Sequence, residues 1–540
     1  MDQRGIKSMS HQGNEATGQQ GNGSTRQRGN ELALSSDLLT HYSSPHYSVG
    51  LPLALLIAHG LLYLRALAWD VVDDAYISFR YARNLMEGHG LVFNVGEKVE
   101  GYTNFLWTVL LAPFIGLGIP PAPIAVLGGL AFGGVTLWLV YRLGRRVGGM
   151  WVGALASLFL ALDGSFALWS VGGMETLMFT CLTFAGAAAY LHEQSEPDHW
   201  PLSGPLFALA AMTRPEGVML FAVTAGHQVL VRLFEEGRPF RGRDVVRILL
   251  FGGLWGSYFL GRWWYYGFPL PNTFYAKVDP EGTRAQLMRG VRYLLTFARI
   301  HLGYVAWLPL AVLFLRRRVD RWVTYALGMM GSYGAYVAYV GGDWSVGRFL
   351  VPLLPFFYLL LVQGLTEGYR WLKQAQGTGL SILLHRLSLG ALVLFLVGMG
   401  LASSWWGEYG LFIRPFEAGL ANRARIAMGC WLRENLPPDT VIGVDAAGEL
   451  PYYSRLCTID LFGITQPAIA HMAVPHMGQG TPGHEKFGLG FVLAQRPDVI
   501  IIYGNGLNGV EPYQRVDVEW TENSELRAFL SIYRLKAQNP

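Results

Sequence analysis

Charge is scarce in this sequence. Asp, Glu, Lys and Arg supply 15% of its 540 residues, against about 25% in an ordinary soluble chain, and that deficit excludes a conventional water-soluble globular protein. Cysteine is scarcer still: Cys181, Cys430 and Cys457 are scattered, which argues against a disulfide framework and a zinc site. The net charge is only +4, with no concentrated basic stripe, so no nucleic acid partner is expected. Neither a phosphate-cradling Gly-rich loop nor a nucleophile elbow occurs, and internal repeats are not evident.

What is abundant is apolar. Hydrophobic residues make up 51% of the chain, with 17 Trp, 26 Tyr and 29 Phe, and the mean hydropathy is +0.28. A bilayer core needs about 20 such residues per helix. The first run, Ser48 to Trp69, follows a Gln/Gly/Ser/Asn-rich tail at 1–47 that reads as disordered and cytoplasmic. No small-residue cleavage site follows this run, which is expected to be a retained anchor. Further apolar segments lie near 103–118, 122–141, 150–165, 173–192, 202–213, 214–231, 247–264, 302–315, 322–340, 348–364 and 387–405.

Orientation follows Lys and Arg in short loops. The clusters Arg142/Arg145/Arg146, Arg232 to Arg247, Arg316 to Arg321 and Arg370/Lys373 share the cytoplasmic side only if 103–141 makes one net crossing. The segment 103–118, which contains Pro113, then dips into the outer face or forms a broken helix. The expected architecture is an α-helical polytopic protein of the plasma membrane, with about 11 transmembrane helices by the length rule between 48 and 406. Its outer loops are 70–102, 166–172, 264–301 and 341–347. The loop 264–301 runs against the charge rule, carrying Lys277, Arg284, Arg289, Arg292 and Arg299 against Asp279 and Glu281. Either the topology differs there, or those bases have an anionic partner outside.

Beyond Trp406 the composition becomes more polar. A helical stretch around Ala421 to Asn435 precedes strand-like runs Val441 to Val444, Thr458 to Leu461 and Val499 to Tyr503, with Pro437 and Pro438 as the first separator. This suits an α/β unit. Residues 410–540 are expected to form a soluble C-terminal α/β domain on the extracytoplasmic face.

The segment 70–102 is the most informative. Asp73 and Asp74 follow the first apolar helix within a few residues, and Glu100 precedes the return to the membrane. Carboxylates at a membrane interface are costly unless they bind or react, and a carboxylate base is what activation of an acceptor hydroxyl needs. Arg80 and Arg83 follow on a short amphipathic helix, where they could clamp a phosphate. The plainer alternative has the aspartates capping that helix and pairing with Arg80 or Arg83. A divalent metal on Asp73, Asp74 and Glu100 is conceivable chemically, since hard cations prefer oxygen ligands, but spacing alone does not establish one. Other charges punctuate apolar runs: Glu175 in GGMETLMF, Arg214 and Glu216 in MTRPEG, Lys277 in GFPLPNTFYAK, Asp343 and Arg348 in GGDWSVGRF. For Arg214 with Glu216 a local salt bridge at a Pro turn competes with a substrate contact. For Arg348 an ion pair with Asp343 competes with a phosphate site at a helix start, and for Lys277 the commoner explanation is an interfacial side chain that snorkels.

The ordered set DDAYISFRYARNL, VEGYTNFLW, GMETLMF, TRPEG, PNTFYAK, GGDWSVGRFLVPLLP and DAAGELPYYS with TIDLFG resembles the polytopic GT-C glycosyltransferases. It looks closest to the terminal β-(1→2) arabinofuranosyltransferases of the actinobacterial cell wall, over about Val71 to Gly463. The resemblance implies a GT-C fold with an active site on the outer face, a polyprenyl-phosphate sugar donor, an envelope glycan acceptor and inversion at the anomeric carbon. Carried onto this chain, Asp73 and Asp74 match the acidic pair, with Asp74 favoured as base, and Glu100 falls where a second loop acid is expected. Arg214, Lys277 and Arg348 lie in matching motifs and join Arg80 and Arg83 as candidates for the donor phosphate. Tyr452 and Tyr453 would suit stacking against the acceptor glycan, with core packing as the alternative. The competing function is a transporter or flippase of lipid-linked sugars, which would place broken, polar helices at the bilayer midplane.

Overall fold

Among the described residues helices form over the apolar runs and also over the charged segments Asp73–Met86 and Arg284–Ile300, and Pro52 and Pro113 lie inside helices. The computed structural model describes residues 45–196, 199–237, 239–278, 284–300, 320–345, 347–374, 414–475, 477–504 and 510–536, with isolated positions at 390, 394 and 398. The helices are α1 (Pro45–Ala66), α2 (Asp73–Met86), α3 (Phe105–Gly116), α4 (Pro121–Gly148), α5 (Met150–Leu162), α6 (Gly164–Val171) and α7 (Thr176–Ser195). There follow α8 (Ser203–Thr213), α9 (Glu216–Glu236), α10 (Gly242–Tyr266), α11 (Asn272–Lys277), α12 (Arg284–Ile300) and α13 (Arg321–Tyr339). A 3-10 turn at Arg348–Leu353 leads into α14 (Leu354–Gln374), and α15 (Arg414–Asn435) precedes the strands.

Among the described residues, four helical stretches are long and apolar enough to cross a membrane: Val49–Ala66, Pro121–Gly148, Glu216–Glu235 and Arg348–Trp371. The bent pair α5 and α6, at 64° to each other, makes a fifth if it counts as one span. The bend is built by Asp163, whose carboxylate accepts from the Phe166 amide at 3.0 Å, capping α6, and from the Tyr358 hydroxyl at 2.8 Å. Of the stretch 166–172, expected as an outer loop, residues 166–171 are therefore part of a buried helix and Gly172 caps it. The 12 residues of α3 rise only about 18 Å, short of the roughly 30 Å of a hydrocarbon core. The 28 residues of α4 rise about 42 Å. The segment 302–315 and, but for positions 390, 394 and 398, the segment 387–405 lie outside the described residues, like residues 1–44, so the expected 11 crossings are not the number that length and composition give among the described ones.

The C-terminal strands are β1 (Val441–Val444), β2 (Cys457–Asp460), β3 (Val499–Tyr503), β4 (Tyr513–Val516) and β5 (Leu530–Leu535), in the order β2-β1-β3-β5-β4. β1 is parallel to β2 and β3, while β5 is antiparallel to β3 and β4. The run Val499–Ile502 is buried on both faces, as a near-continuous apolar strand requires. Val499 and Ile501 pack with Ala424, Met428 and Leu432 of α15; Ile500 and Ile502 pack with Ile469 and Val492 on the other side. The sheet layer and the helices are joined in one compact unit from Val49 to Pro540. Where they meet, Gly448 lies so close to α2 that a Cβ there would sit 2.0 Å from the Asp73 carbonyl oxygen.

Candidate active site

The amphipathic helix α2 sends Asp74 to one side and Asp73, Arg80 and Arg83 to the sheet layer on the other. Asp74 faces a cavity of about 1120 Å³, open mouth included, whose lining also contains Glu175, Arg214, Glu216, Lys277, Asp343 and Arg348. Seven acidic and basic side chains from five separate stretches of chain thus converge on one space. Two arginines organise it. Arg348 Nη1 reaches Asp74 Oδ2 at 3.2 Å, and its Nη2 donates to Asp343 Oδ1 at 2.9 Å. Arg214 bridges Glu175 at 3.1 Å and Glu216 at 2.9 Å, so the local pair foreseen in MTRPEG exists and extends to a second acid.

Lys277 is different. It lines the same cavity, its side chain runs beside Gly483, and it has no ion-pair or hydrogen-bond partner among the described residues. Burial, followed by repulsion from Arg348, lowers its pKa, with Asp343 and Asp74 opposing. At Asp74 the balance goes the other way for a carboxyl. Burial pushes it up, but Arg348, Lys277 and His484 together outweigh burial and leave it below its ordinary value.

The other expected site residues are elsewhere. Asp73 is one residue from Asp74 but turns towards the sheet layer, where it accepts from the Glu449 amide at 2.8 Å and pairs with Arg425 at 3.2 Å. Glu100 is taken by Arg262, whose Nε donates to both carboxylate oxygens at 2.9 and 3.0 Å; it lines a separate, largely aromatic pocket with Tyr102, Tyr258, Tyr265 and Tyr266. The three acids that could have shared a metal are thus each neutralised by a different arginine, and they form no common ligand set. Nor do the aspartates pair with Arg80 or Arg83, as the capping alternative required.

Arg80 and Arg83 are also displaced from the expected phosphate role. Arg80 donates to the carbonyls of Phe93, Pro451 and Leu456 at 2.7, 2.7 and 2.8 Å. Burial, then Arg83, push its pKa down to about 9. Arg83 donates to the Tyr452 carbonyl at 2.7 Å and stands over the Tyr452 ring. Both arginines fasten α2 to the sheet layer, because their side chains leave the helix on the face away from Asp74. Tyr452 and Tyr453 pack on Tyr76 in the same seam, with the Tyr453 and Tyr76 hydroxyls 3.2 Å apart, so core packing describes them better than open stacking platforms do.

Several residues of the site were not singled out from sequence. Asn104, within the motif VEGYTNFLW, donates to Glu175 at 2.8 Å and accepts from Ser78 at 3.0 Å. Tyr336 donates to Glu216 at 3.3 Å. Pro482 and Gly483 bring a C-terminal loop to the cavity wall. Asn104 and Ser78 lay in recognised motifs; Tyr336, Pro482 and Gly483 carry no local signal.

Comparison with known proteins places the chain among known folds and families. A family described as dolichyl-phosphate-mannose-protein mannosyltransferase matches residues 123–236, and a domain of unknown function matches 415–538. The terminal β-(1→2)-arabinofuranosyltransferase of Mycobacterium tuberculosis is 29% identical over 45% of this chain and 39% of its own length. Its namesake from Corynebacterium glutamicum is 25% identical over 59% of this chain and 51% of its own. ArnT from Cupriavidus metallidurans in the apo state shares the fold with a TM-score of 0.57 and 13% identity, over 89% of this chain and 97% of that one. The chain is related to the GT-C glycosyltransferases. The same ArnT bound to undecaprenyl phosphate superposes with a TM-score of 0.54 at 14% identity, covering 90% of this chain and 99% of that one. Against the curated arabinofuranosyltransferases, this GT-C relative spans about half of their length or less. The matched segment 123–236 contributes Glu175, Arg214 and Glu216 to the cavity, whereas Asp74, Lys277, Asp343 and Arg348 come from outside it.

Proposed function

We propose that this multi-pass membrane protein transfers a sugar, with arabinofuranose as the favoured candidate, from a polyprenyl-phosphate donor to a hydroxyl of an envelope glycan, with inversion. The names of the curated relatives support the sugar, and the undecaprenyl-phosphate complex of a protein with the same fold supports the donor class. The observation that carries the reading is Lys277. Arg214 and Arg348 in the cavity each hold two carboxylates, while the Lys277 ammonium holds none among the described residues. A donor phosphate supplies the missing counter-ion.

The chemistry is a single displacement. The acceptor oxygen attacks the anomeric carbon and its proton passes to the Asp74 carboxylate. The bond from anomeric carbon to phosphate oxygen breaks, and its electron pair leaves on the polyprenyl phosphate, whose charge Lys277 neutralises, aided by the fields of Arg214 and Arg348. Asp74 is an intrinsically weak base because its pKa is held down. Proton transfer therefore runs late, once bond formation has acidified the acceptor hydroxyl. The cavity opens on the extracytoplasmic side in this reading, with the sheet layer above it on the acceptor side.

Purified protein incubated with a panel of labelled polyprenyl-phosphate sugars and a glycan acceptor tests this. A new glycosidic bond, made by wild type and lost in Asp74→Asn, is the expected result. Movement of lipid-linked sugar across vesicles without any glycosidic product would replace the enzyme by a transporter.

A further inference from the structure

Arg289 has no part in the displacement just described, yet its guanidinium joins two loops that wall the cavity. Nε donates to the Gly341 carbonyl at 2.9 Å. Nη1 donates to the Gly480 carbonyl at 3.1 Å and pairs with Glu485 at 2.6 Å. Gly341 starts the turn that carries Gly342 and Asp343 into the cavity lining, and Asp343 in turn holds Arg348. Gly480 and Glu485 belong to the loop 478–485, whose Pro482 and Gly483 are also lining residues.

The contacts are close-fitting on both sides. Glu485 folds its own loop by accepting from the amides of Gly478 and Gly480 at 2.7 and 2.9 Å. A Cβ at Gly478 would sit 2.2 Å from the Gln286 nitrogen at the start of α12, and one at Gly341 would sit 2.7 Å from Arg289 Nη2. At Gly483 a Cβ would lie 3.5 to 3.7 Å from the Lys277 stem, so this loop backs the cavity's free cation. One helical turn beyond Arg289, Tyr293 donates to the Ser345 carbonyl at 3.0 Å and accepts from the Gly347 amide at 2.7 Å, seating the residue before Arg348.

We propose that Arg289 is a positioning residue that clips the 478–485 loop to the Gly341–Asp343 turn, fixing Lys277 and Arg348 relative to one another and closing the cavity to water. This rests on the polyprenyl-phosphate reading above. A guanidinium suits the task because its planar fork can serve two carbonyls and a carboxylate at once, which a lysine ammonium on a flexible stem does poorly. Placement of this kind matters because small displacements of aligned groups cost large factors in rate. It also gives a basic residue of the 264–301 segment its anionic partner, Glu485, within the same chain.

The test uses full-length protein in detergent and the variants Arg289→Lys, Arg289→Ala and Glu485→Gln. Hydrogen exchange should rise together in 478–485 and 341–345 in each Arg289 variant, a readout that needs no substrate. With labelled donor, transfer should fall roughly tenfold or more while donor hydrolysis takes a larger share of the product, and millimolar methylguanidinium should restore transfer in Arg289→Ala but not in Glu485→Gln. Folded variants with unchanged exchange in either loop, or an unchanged ratio of transfer to hydrolysis, overturn the clip. If Arg289→Ala does not fold, Arg289→Lys decides by the same two measurements. Wild type that neither binds polyprenyl monophosphate nor turns over removes the functional reading instead, and leaves the exchange result to judge the clip alone.

Discussion

Arg348 Nη1 lies 3.2 Å from Asp74 Oδ2, across 274 positions of sequence. That contact ties the second helix, α2, to the apolar segment that leads into α14, and it keeps the proposed base ionised. Asp74→Asn keeps the shape and removes the proton acceptor. Transfer should drop by about 10²- to 10⁴-fold with polyprenyl-phosphate affinity retained. Because Asp74 sits below its ordinary value, wild-type activity should survive acidification through the usual carboxylate range and fail only beneath it. An acid limb at or above that range would assign the base elsewhere.

Lys277→Gln should weaken binding of polyprenyl monophosphate by roughly ten- to a hundredfold, in line with loss of a charge-assisted contact of about 1.5–3 kcal/mol. Its lowered pKa gives the sign of the pH dependence. The ammonium is present at low pH and is lost, as pH rises, earlier than for an ordinary lysine. Wild-type affinity should therefore decline on the alkaline side, and the Gln variant should show no such decline. Binding measured by thermal shift against lipid concentration at several pH values checks both statements.

Which side chains would converge was only partly legible in the sequence. Asp74, Lys277, Asp343 and Arg348 stood out because each breaks an apolar stretch, and charge inside such stretches is expensive unless used. Strands β1 and β3 were visible because buried strands read as continuous apolar runs. Direction was not legible. Asp73 and Asp74 are neighbours on a helix and so point about 100° apart, which sends one to Arg425 and the other to Arg348. Arg80 and Arg83 carry the same local signature as a phosphate clamp, but their partners are backbone carbonyls at Pro451, Tyr452 and Leu456, supplied by a layer more than 360 residues away. Strands β4 and β5 are partly exposed and lack the continuous apolar run that marks β3. The loop at 478–485, dominated by glycine and polar residues, carries no signal of its own in the sequence, because its anchoring depends on Arg289 in a distant helix.

Glu100 belongs to stability in this structure, through Arg262. Burial pushes its carboxyl above the ordinary range despite the bonds from Arg262, which is the mark of a pair held together at a desolvation cost. Removing one partner of such a buried pair typically costs about 3–5 kcal/mol, whereas replacing both by apolar groups can be nearly neutral. Arg262→Met should therefore melt well below wild type, and the double variant Glu100→Leu/Arg262→Met should recover much of the loss. Both should retain turnover per folded molecule. A folded Glu100→Gln protein with normal melting and no turnover would restore Glu100 to the chemistry.

Asp445 follows β1 directly, accepts from the Tyr503 amide at 2.8 Å at the end of β3, and has its pKa raised to about 6. Burial is the main cause, with the Asp73 charge adding to it and Tyr503 and Arg425 opposing. A carboxyl raised in the folded state binds its proton more tightly there than in the unfolded chain. Its contribution to stability is complete below the ordinary value of 3.8 and is lost as the pH rises through about 6. Asp445→Asn can still accept from Tyr503 and carries no charge to desolvate. The variant should melt a few degrees higher than wild type at pH 7, by the usual conversion of one or two kcal/mol into temperature, and the difference should shrink towards zero as the pH approaches 4. A constant offset across that window would mean that Asp445 acts through shape or hydrogen bonding, not through the burial of its charge.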